Sequence, residues 1–149
     1  MDNNDVPSLT DLIHEVLDKG YLMSLATSDE GGVWVADVIY IYDEDLQLYW
    51  VSDPAVRHSQ ALEKGPMVAV SITASSQGEP NLGLQLAGQA KKLAGSRPDL
   101  AKKHWAKRKK SEPIPIDWLD SDRWYELKPT KIELIHEKHF GFEKRVLSL

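Results

Sequence analysis

Leu9, Leu12, Ile13, Val16 and Leu17 recur three and four residues apart, with Asp11, Glu15, Asp18 and Lys19 between them. That spacing predicts an amphipathic helix lying on a core. Ser8 with Asp11 three residues on is a capping pair, and Gly20 is a natural stop. Beyond Gly20 the period falls to two. Strands are predicted over residues 21–27, 33–42, 46–52, 67–73, 82–93 and 123–135, the last interrupted near Pro129, with an edge strand at 146–149. Ser28-Asp29-Glu30-Gly31-Gly32 and Asp43-Glu44-Asp45 are short enough to be hairpin connections, which makes their strands antiparallel neighbours. Gly88, inside the fifth strand, marks a bulge or a close backbone approach.

Two further helices interrupt the strands. Asp53-Pro54 offers a capping side chain and a proline at the first helical position, so the second helix is predicted from there through Leu62 to Gly65-Pro66. Ser96 or Arg97-Pro98 opens a third, ending near Lys110, and Pro113 and Pro115 forbid its continuation. The expected fold is mainly β, an antiparallel barrel with peripheral helices, in one domain spanning residues 1–149.

Composition narrows the functions this chain can perform. It has 149 residues, 42% hydrophobic and 28% charged, which is globular composition. No cysteine is present, so disulfides, thiolate catalysis and cysteine-ligated metals are excluded. Met1-Asp2-Asn3-Asn4-Asp5 is the opposite of a basic signal-peptide start, and no run nears the ~20 apolar residues of a membrane span. The expectation is a cytoplasmic protein without a membrane partner. The net charge is −5, yet residues 91–110 hold nine of the 18 Lys and Arg residues and a single acid, Asp99. The run from Lys102 to Lys110 is read as a solvated helix end, not a nucleic-acid site, because the overall charge is negative and no nucleic-acid motif accompanies it.

Familiar catalytic patterns are missing: no GxGxxG, P-loop or GxSxG occurs. His14-Glu15 begins a zincin-like pair, but Asp18 stands where the second histidine belongs. His136 and His139, three apart in or after a strand, are expected to face opposite sides in surface or turn roles, and His104 to face solvent. What remains is Val51-Ser52-Asp53-Pro54-Ala55-Val56-Arg57-His58. There a strand gives way to a helix whose first N–H groups are free and whose dipole disfavours cations. Arg57 and His58 suit that place if an anion lies between them and the backbone, with Ser52 as a third donor and phosphate the natural anion. The alternative on local sequence is that Asp53 merely caps the helix and Arg57 pairs with it or with Glu63.

Five segments resemble the pyridoxamine 5′-phosphate oxidase-like family of FMN-binding split barrels. They are Val35-Ala36-Asp37-Val38-Ile39-Tyr40, Leu48-Tyr49-Trp50-Val51-Ser52, Arg57-His58 leading to Leu62…Pro66-Met67-Val68-Ala69, Gly83-Leu84-Gln85-Leu86-Ala87-Gly88-Gln89-Ala90, and Pro129-Thr130-Lys131-Ile132-Glu133-Leu134. The resemblance implies a six-stranded antiparallel split β-barrel, a homodimer with FMN at its interface, and a flavin-dependent oxidoreductase acting on a small molecule. Related branches use F420 or heme, and the alternative function it implies is a cofactor-holding or sensing module without turnover. By position, Ser52, Arg57 and His58 would hold the FMN phosphate, Asp37, Val38 and Ile39 would lie along the flavin, Val51 would flank the phosphate or ribityl chain, and Gln85 would reach the cofactor from the facing strand or partner. His58 stands where the classical oxidases have lysine, and Gly83 where a glutamine is expected. Phe140-Gly141-Phe142-Glu143-Lys144-Arg145 replaces the Arg-x-His that grips the pyridoxal substrate, which points away from pyridoxamine phosphate. A flavin brings its own redox reactivity, which accounts for the lack of an acid–base motif.

Overall fold

The structure is a computed structural model describing residues 7–110 and 119–149. Helix α1, Leu9–Lys19, forms where the apolar stripe predicts it. The Ser8 side chain accepts from the Asp11 N–H and the Asp11 carboxylate accepts from the Ser8 N–H, a reciprocal cap. Leu12, Ile13, Val16 and Leu17 are all buried.

The strands are β1 Leu22–Asp29, β2 Gly32–Ile39, β3 Ile41–Tyr42, β4 Leu48–Ser52, β5 Met67–Thr73, β6 Leu82–Lys92, β7 Arg123–His136 and β8 Arg145–Ser148. Every pairing is antiparallel, in the order β2-β1-β5-β6-β7-β4-β3, with β8 on β7. β2 and β3 are one run of chain divided at Tyr40, and they stand at opposite ends of that order. The sheet therefore curls back on itself, the half-barrel of a split-barrel fold. The count exceeds six because Tyr40 splits one predicted strand and β8 forms at the edge. Tyr40 turns wholly inward, where its hydroxyl donates to the Leu17 carbonyl at 2.8 Å.

One face of the curled sheet encloses Met23, Leu25, Trp50, Val70, Leu84, Tyr125, Leu127 and Leu134 against α1. The residues between them point outward and form rows across the strands. Asp37, Ser24, Ser71, Gln85 and Glu133 make one row, and Val35, Ala26, Ala69, Ala87 and Lys131 the next. β7 is continuous through Pro129: the register shifts between Ala87 and Gly88, leaving Thr130 as the extra residue of a bulge. The Thr130 hydroxyl donates to the Ala87 carbonyl at 3.2 Å across it.

Helices α2, Arg57–Lys64, and α3, Pro98–Lys107, lie outside the sheet, and a single turn α4, Glu137–Phe140, follows β7. α3 buries Leu100, Ala101 and His104 against Ile41, Tyr49 and Trp124. His104 is 4% exposed, so the expectation of a solvent-facing ring is corrected. Its ring meets Trp124 edge-on at 5.8 Å. The stop expected at Pro113 and Pro115 falls outside the described residues. His136 and His139 also differ from expectation. The strand ends at His136 and a helical turn follows, which brings the two rings within 4.5 Å. His136 is buried, with Nε2 3.3 Å from the Glu15 carboxylate.

Candidate functional site

The join between β4 and α2 differs from its expected form. Asp53-Pro54 builds a turn instead of starting the helix: the Asp53 carboxylate accepts from the Ala55 N–H at 2.9 Å and its carbonyl from the Val56 N–H at 3.3 Å. A proline dihedral suits the second position of a turn as well as it suits a helix start. α2 begins at Arg57 with Val56 at the cap position and no side-chain cap. Arg57 and His58 are thus its first two residues, where backbone N–H groups lack helical partners and the dipole is positive.

Ser52 and His58 meet. Ser52 Oγ and His58 Nε2 are 2.8 Å apart, joining the end of β4 to the first turn of α2. Burial pushes the His58 pKa below its ordinary value, so the imidazole is neutral at neutral pH. A neutral ring that donates from Nε2 to Ser52 frees the serine hydroxyl to donate onward to an anion. The lowered pKa also moves any imidazolium contribution below pH 6.5. Affinity for a phosphate-bearing ligand should therefore change little between pH 7 and pH 9, and a fall across that interval in a titration would assign His58 a charged role.

Arg57 has neither of the partners expected from its neighbours. It donates from Nε and Nη2 to the two Asp29 carboxylate oxygens at 2.9 and 3.1 Å, and its guanidinium lies over the Trp34 ring at 4.5 Å. This fork keeps the Asp29 carboxyl below the usual carboxylate range. It also fixes the guanidinium plane and leaves Nη1 as the free edge. A cavity of about 380 Å³ opens there, lined by Asp29, Glu30, Gly31, Arg57, Gln60, Ala61 and Lys64.

The other predicted residues are spread over the sheet. Ile41 pairs with Tyr49 and Tyr42 with Leu48. Continued two residues, that register sets Ile39 opposite Val51, where β2 leaves β4 to pair with β1. Val38 packs against the main core and Val51 against the second cluster. Asp37 points outward and accepts from the Ser24 hydroxyl at 2.7 Å. Gln85 lies on the same row but three strands away, about 14 Å by strand spacing. One copy of the chain does not bring Asp37 and Gln85 onto the same small group. Gln85 is engaged instead by Lys144, which donates to its Oε1 at 2.9 Å. Between the rows is a shallow cavity of about 400 Å³ over Ala26, Ala69 and Ala87.

The donor set fits a phosphate: an uncapped helix start, the Ser52 hydroxyl and the free edge of an oriented arginine. Asp29, Trp34 and Lys144 were not singled out from the sequence. Each meets its partner through side-chain contacts 23 to 59 residues apart in the chain, which no local pattern reports. Among the described residues no group of three or more His, Asp or Glu is placed to hold a metal ion, and no helix is long and apolar enough to cross a membrane.

Known proteins share this fold. The protein YhbP of Escherichia coli O157:H7 is 27% identical over 137 residues, covering 89% of this chain and 88% of its own. The heme binding protein from Mycobacterium smegmatis superposes with a TM-score of 0.74 at 18% identity, over 96% of this chain and 59% of that one. An FAD-binding protein from Mesorhizobium loti gives a TM-score of 0.63 at 20% identity, over 80% of this chain and 87% of that one. The sequence profile of pyridoxamine 5′-phosphate oxidase matches residues 9–136, from the first residue of α1 to the last of β7. With the split barrel and the residue order of its five motifs in place, the chain belongs to the pyridoxamine 5′-phosphate oxidase family.

Proposed function

We propose that this protein binds FMN and serves as a flavin-dependent oxidoreductase for a small molecule other than pyridoxamine phosphate. The observation that carries the reading is the junction of β4 and α2. An uncapped helix start, Ser52 and the Asp29-oriented Arg57 gather donors for one phosphate in a protein whose overall charge is negative. Ile39 and Val51, opposite each other where β2 parts from β4, and the outward-facing Asp37 give the direction that a ribityl chain and ring would take in this reading. When bound, the flavin supplies the electron transfer. The chain's own residues anchor the phosphate, shape the split and hold the ring away from bulk water.

A homodimer is part of the proposal. Val33, Val35 and Met67 are 79%, 59% and 63% exposed on the outward face, beside the Ala26, Ala69 and Ala87 floor. A second copy laid on this face would cover them and bring its own Gln85 row to the split. The second reading is a heme- or F420-holding module without turnover; the heme-binding protein of the same fold supports its heme form.

Titration of the purified protein with FMN, F420 and hemin, followed by absorbance, separates the readings. A yellow complex bleached by an anaerobic reductant supports the first, while a Soret band without flavin uptake replaces it by the second. Arg57→Ala should weaken FMN binding about 30-fold, or about 2 kcal/mol, the range for a charge-assisted hydrogen bond. An unchanged dissociation constant would remove Arg57 from the phosphate site.

A further inference from the structure

The outward row of the sheet carries a device that the phosphate site does not need. Gln85 stands between Ser71 and Glu133 in it, on β6, beside the alanine-floored cavity. Its Oε1 accepts from Lys144, the residue that leads into β8. A lysine ammonium can only donate, so the amide has one orientation available: oxygen toward Lys144, nitrogen away. Among the described residues the Gln85 Nε2 makes no hydrogen bond, so its two N–H groups form a free donor edge.

Lys144 is itself held in place. It lies 3.7 Å from one Glu133 oxygen, while Lys131 lies 3.2 Å from the other. These two lysines keep the Glu133 carboxyl ionised, Lys131 the more strongly. The β7–β8 pairing, with Glu133 opposite Val146 and Leu134 opposite Arg145, sets the height at which Lys144 leaves the edge. The contacts thus run from Lys131 to Glu133, Lys144 and Gln85, and end in open donor N–H groups beside a floor of methyl groups. A flat floor with donors along one side fits a planar ring presenting an acceptor edge, such as ring carbonyls flanking a nitrogen.

We infer that Lys144 is a positioning residue: it fixes the Gln85 amide as a donor, and that donor binds the acceptor edge of the flavin ring held by the facing copy. The ring assignment rests on the FMN reading; the amide orientation does not. Two measurements on the same samples keep them apart. The Gln85 side-chain amide resonances, read by ¹⁵N–¹H NMR without ligand, report the orientation. FMN titration by fluorescence quenching, together with the bound flavin's absorbance maximum, reports the ring contact. Lys144→Met should shift the Gln85 side-chain resonances and weaken FMN binding about 5- to 10-fold, with a displaced absorbance maximum. Lys144→Arg should restore both, since arginine donates to the same oxygen. Gln85→Glu, which removes the donors, should weaken FMN at least as much, with the melting temperature serving as the control for folding.

Unmoved Gln85 resonances in Lys144→Met would overturn the inference whether or not FMN binds. Moved resonances with unchanged FMN affinity and spectrum would overturn the donor role. A wild-type protein that takes up no FMN while its Gln85 resonances answer to Lys144 would overturn the ring assignment along with the flavin reading, and leave the orientation standing.

Discussion

Gly88→Val should lower the unfolding free energy by about 4 kcal/mol, in the upper range for single substitutions. Gly88 faces Pro129 at the point where β6 and β7 change register. A Cβ at this position would overlap the Lys128 carbonyl oxygen and lie 3.0 Å from Leu127 Cδ2. The oxygen belongs to backbone, so it yields only if the pairing moves, and the adjacent pairs Gln89–Lys128 and Ala90–Leu127 hold that pairing on the core side. Relief would have to come from lengthening the bulge, which also drags Leu127 and the buried end of β7. Overpacking of this kind exceeds the usual cost because no side chain can swing aside. Urea denaturation of wild type and variant measures it. Gly65, where an added Cβ meets nothing within 4 Å, serves as the control: Gly65→Ala should change stability by less than about 1 kcal/mol.

The same bulge shows which parts of this protein its sequence discloses. Gly88 was legible because glycine in a strand has few reasons to be there, and α1 was legible because its stripe and its cap are local. The start of α2 was misread for a local reason too. Asp-Pro satisfies a turn and a helix start alike, and only the three-dimensional path from β4 decides between them. Leu46 shows a similar limit: predicted inside a strand, it sits in the turn before β4 with φ at 65°, while Asp43 accepts from the N–H groups of Asp45 and Gln47. His104 and His136 were misplaced because burial depends on where a helix or tail lands, which periodicity does not report.

The candidate site divides along the same line. Ser52 and His58 are six residues apart across one strand–helix join, so their meeting follows from sequence order. Arg57 stands as a cation at a helix start, but its orientation comes from Asp29 at the end of β1. The acidic partner takes the N–H of Nε and one of Nη2 and leaves the Nη1 edge outward. Gln85 was found by resemblance, whereas the lysine that turns its amide belongs to the last strand and emerges only when β8 is laid on β7.

The basic segment of residues 91–110 yields the second large effect, and it concerns stability in acid. α3 packs two basic groups inward that a solvated helix end would have left outside. His104 is buried, and that burial, followed by the charges of Arg108 and Lys107, pushes its pKa down to about 4. In the unfolded chain it protonates near 6.5. Between these values the unfolded state binds a proton that the fold refuses, so stability falls as pH falls from 6.5 toward 4, and the interval amounts to about 3 kcal/mol. Lys107 obeys the same sign. Its Nζ is enclosed without a hydrogen-bond partner among the described residues, 3.2 Å from the centre of the Tyr40 ring, and burial pushes its pKa down to about 7. Stability should therefore rise with pH from 7 toward 10.5. His104→Leu should lose about 3 kcal/mol less than wild type between pH 7 and pH 4, a difference in which the carboxylates common to both proteins cancel. Lys107→Met should be more stable than wild type at pH 7 by about 1–3 kcal/mol, since burying the amine costs more than the Tyr40 ring and the Asp18 charge return and a methyl thioether carries no such cost, and it should lack the alkaline gain. Chemical denaturation at pH 4, 7 and 9 tests both. Parallel pH curves for wild type and His104→Leu would mean that the ring is protonated within the fold, and a destabilised Lys107→Met would mean that the ammonium over Tyr40 holds α3 in place.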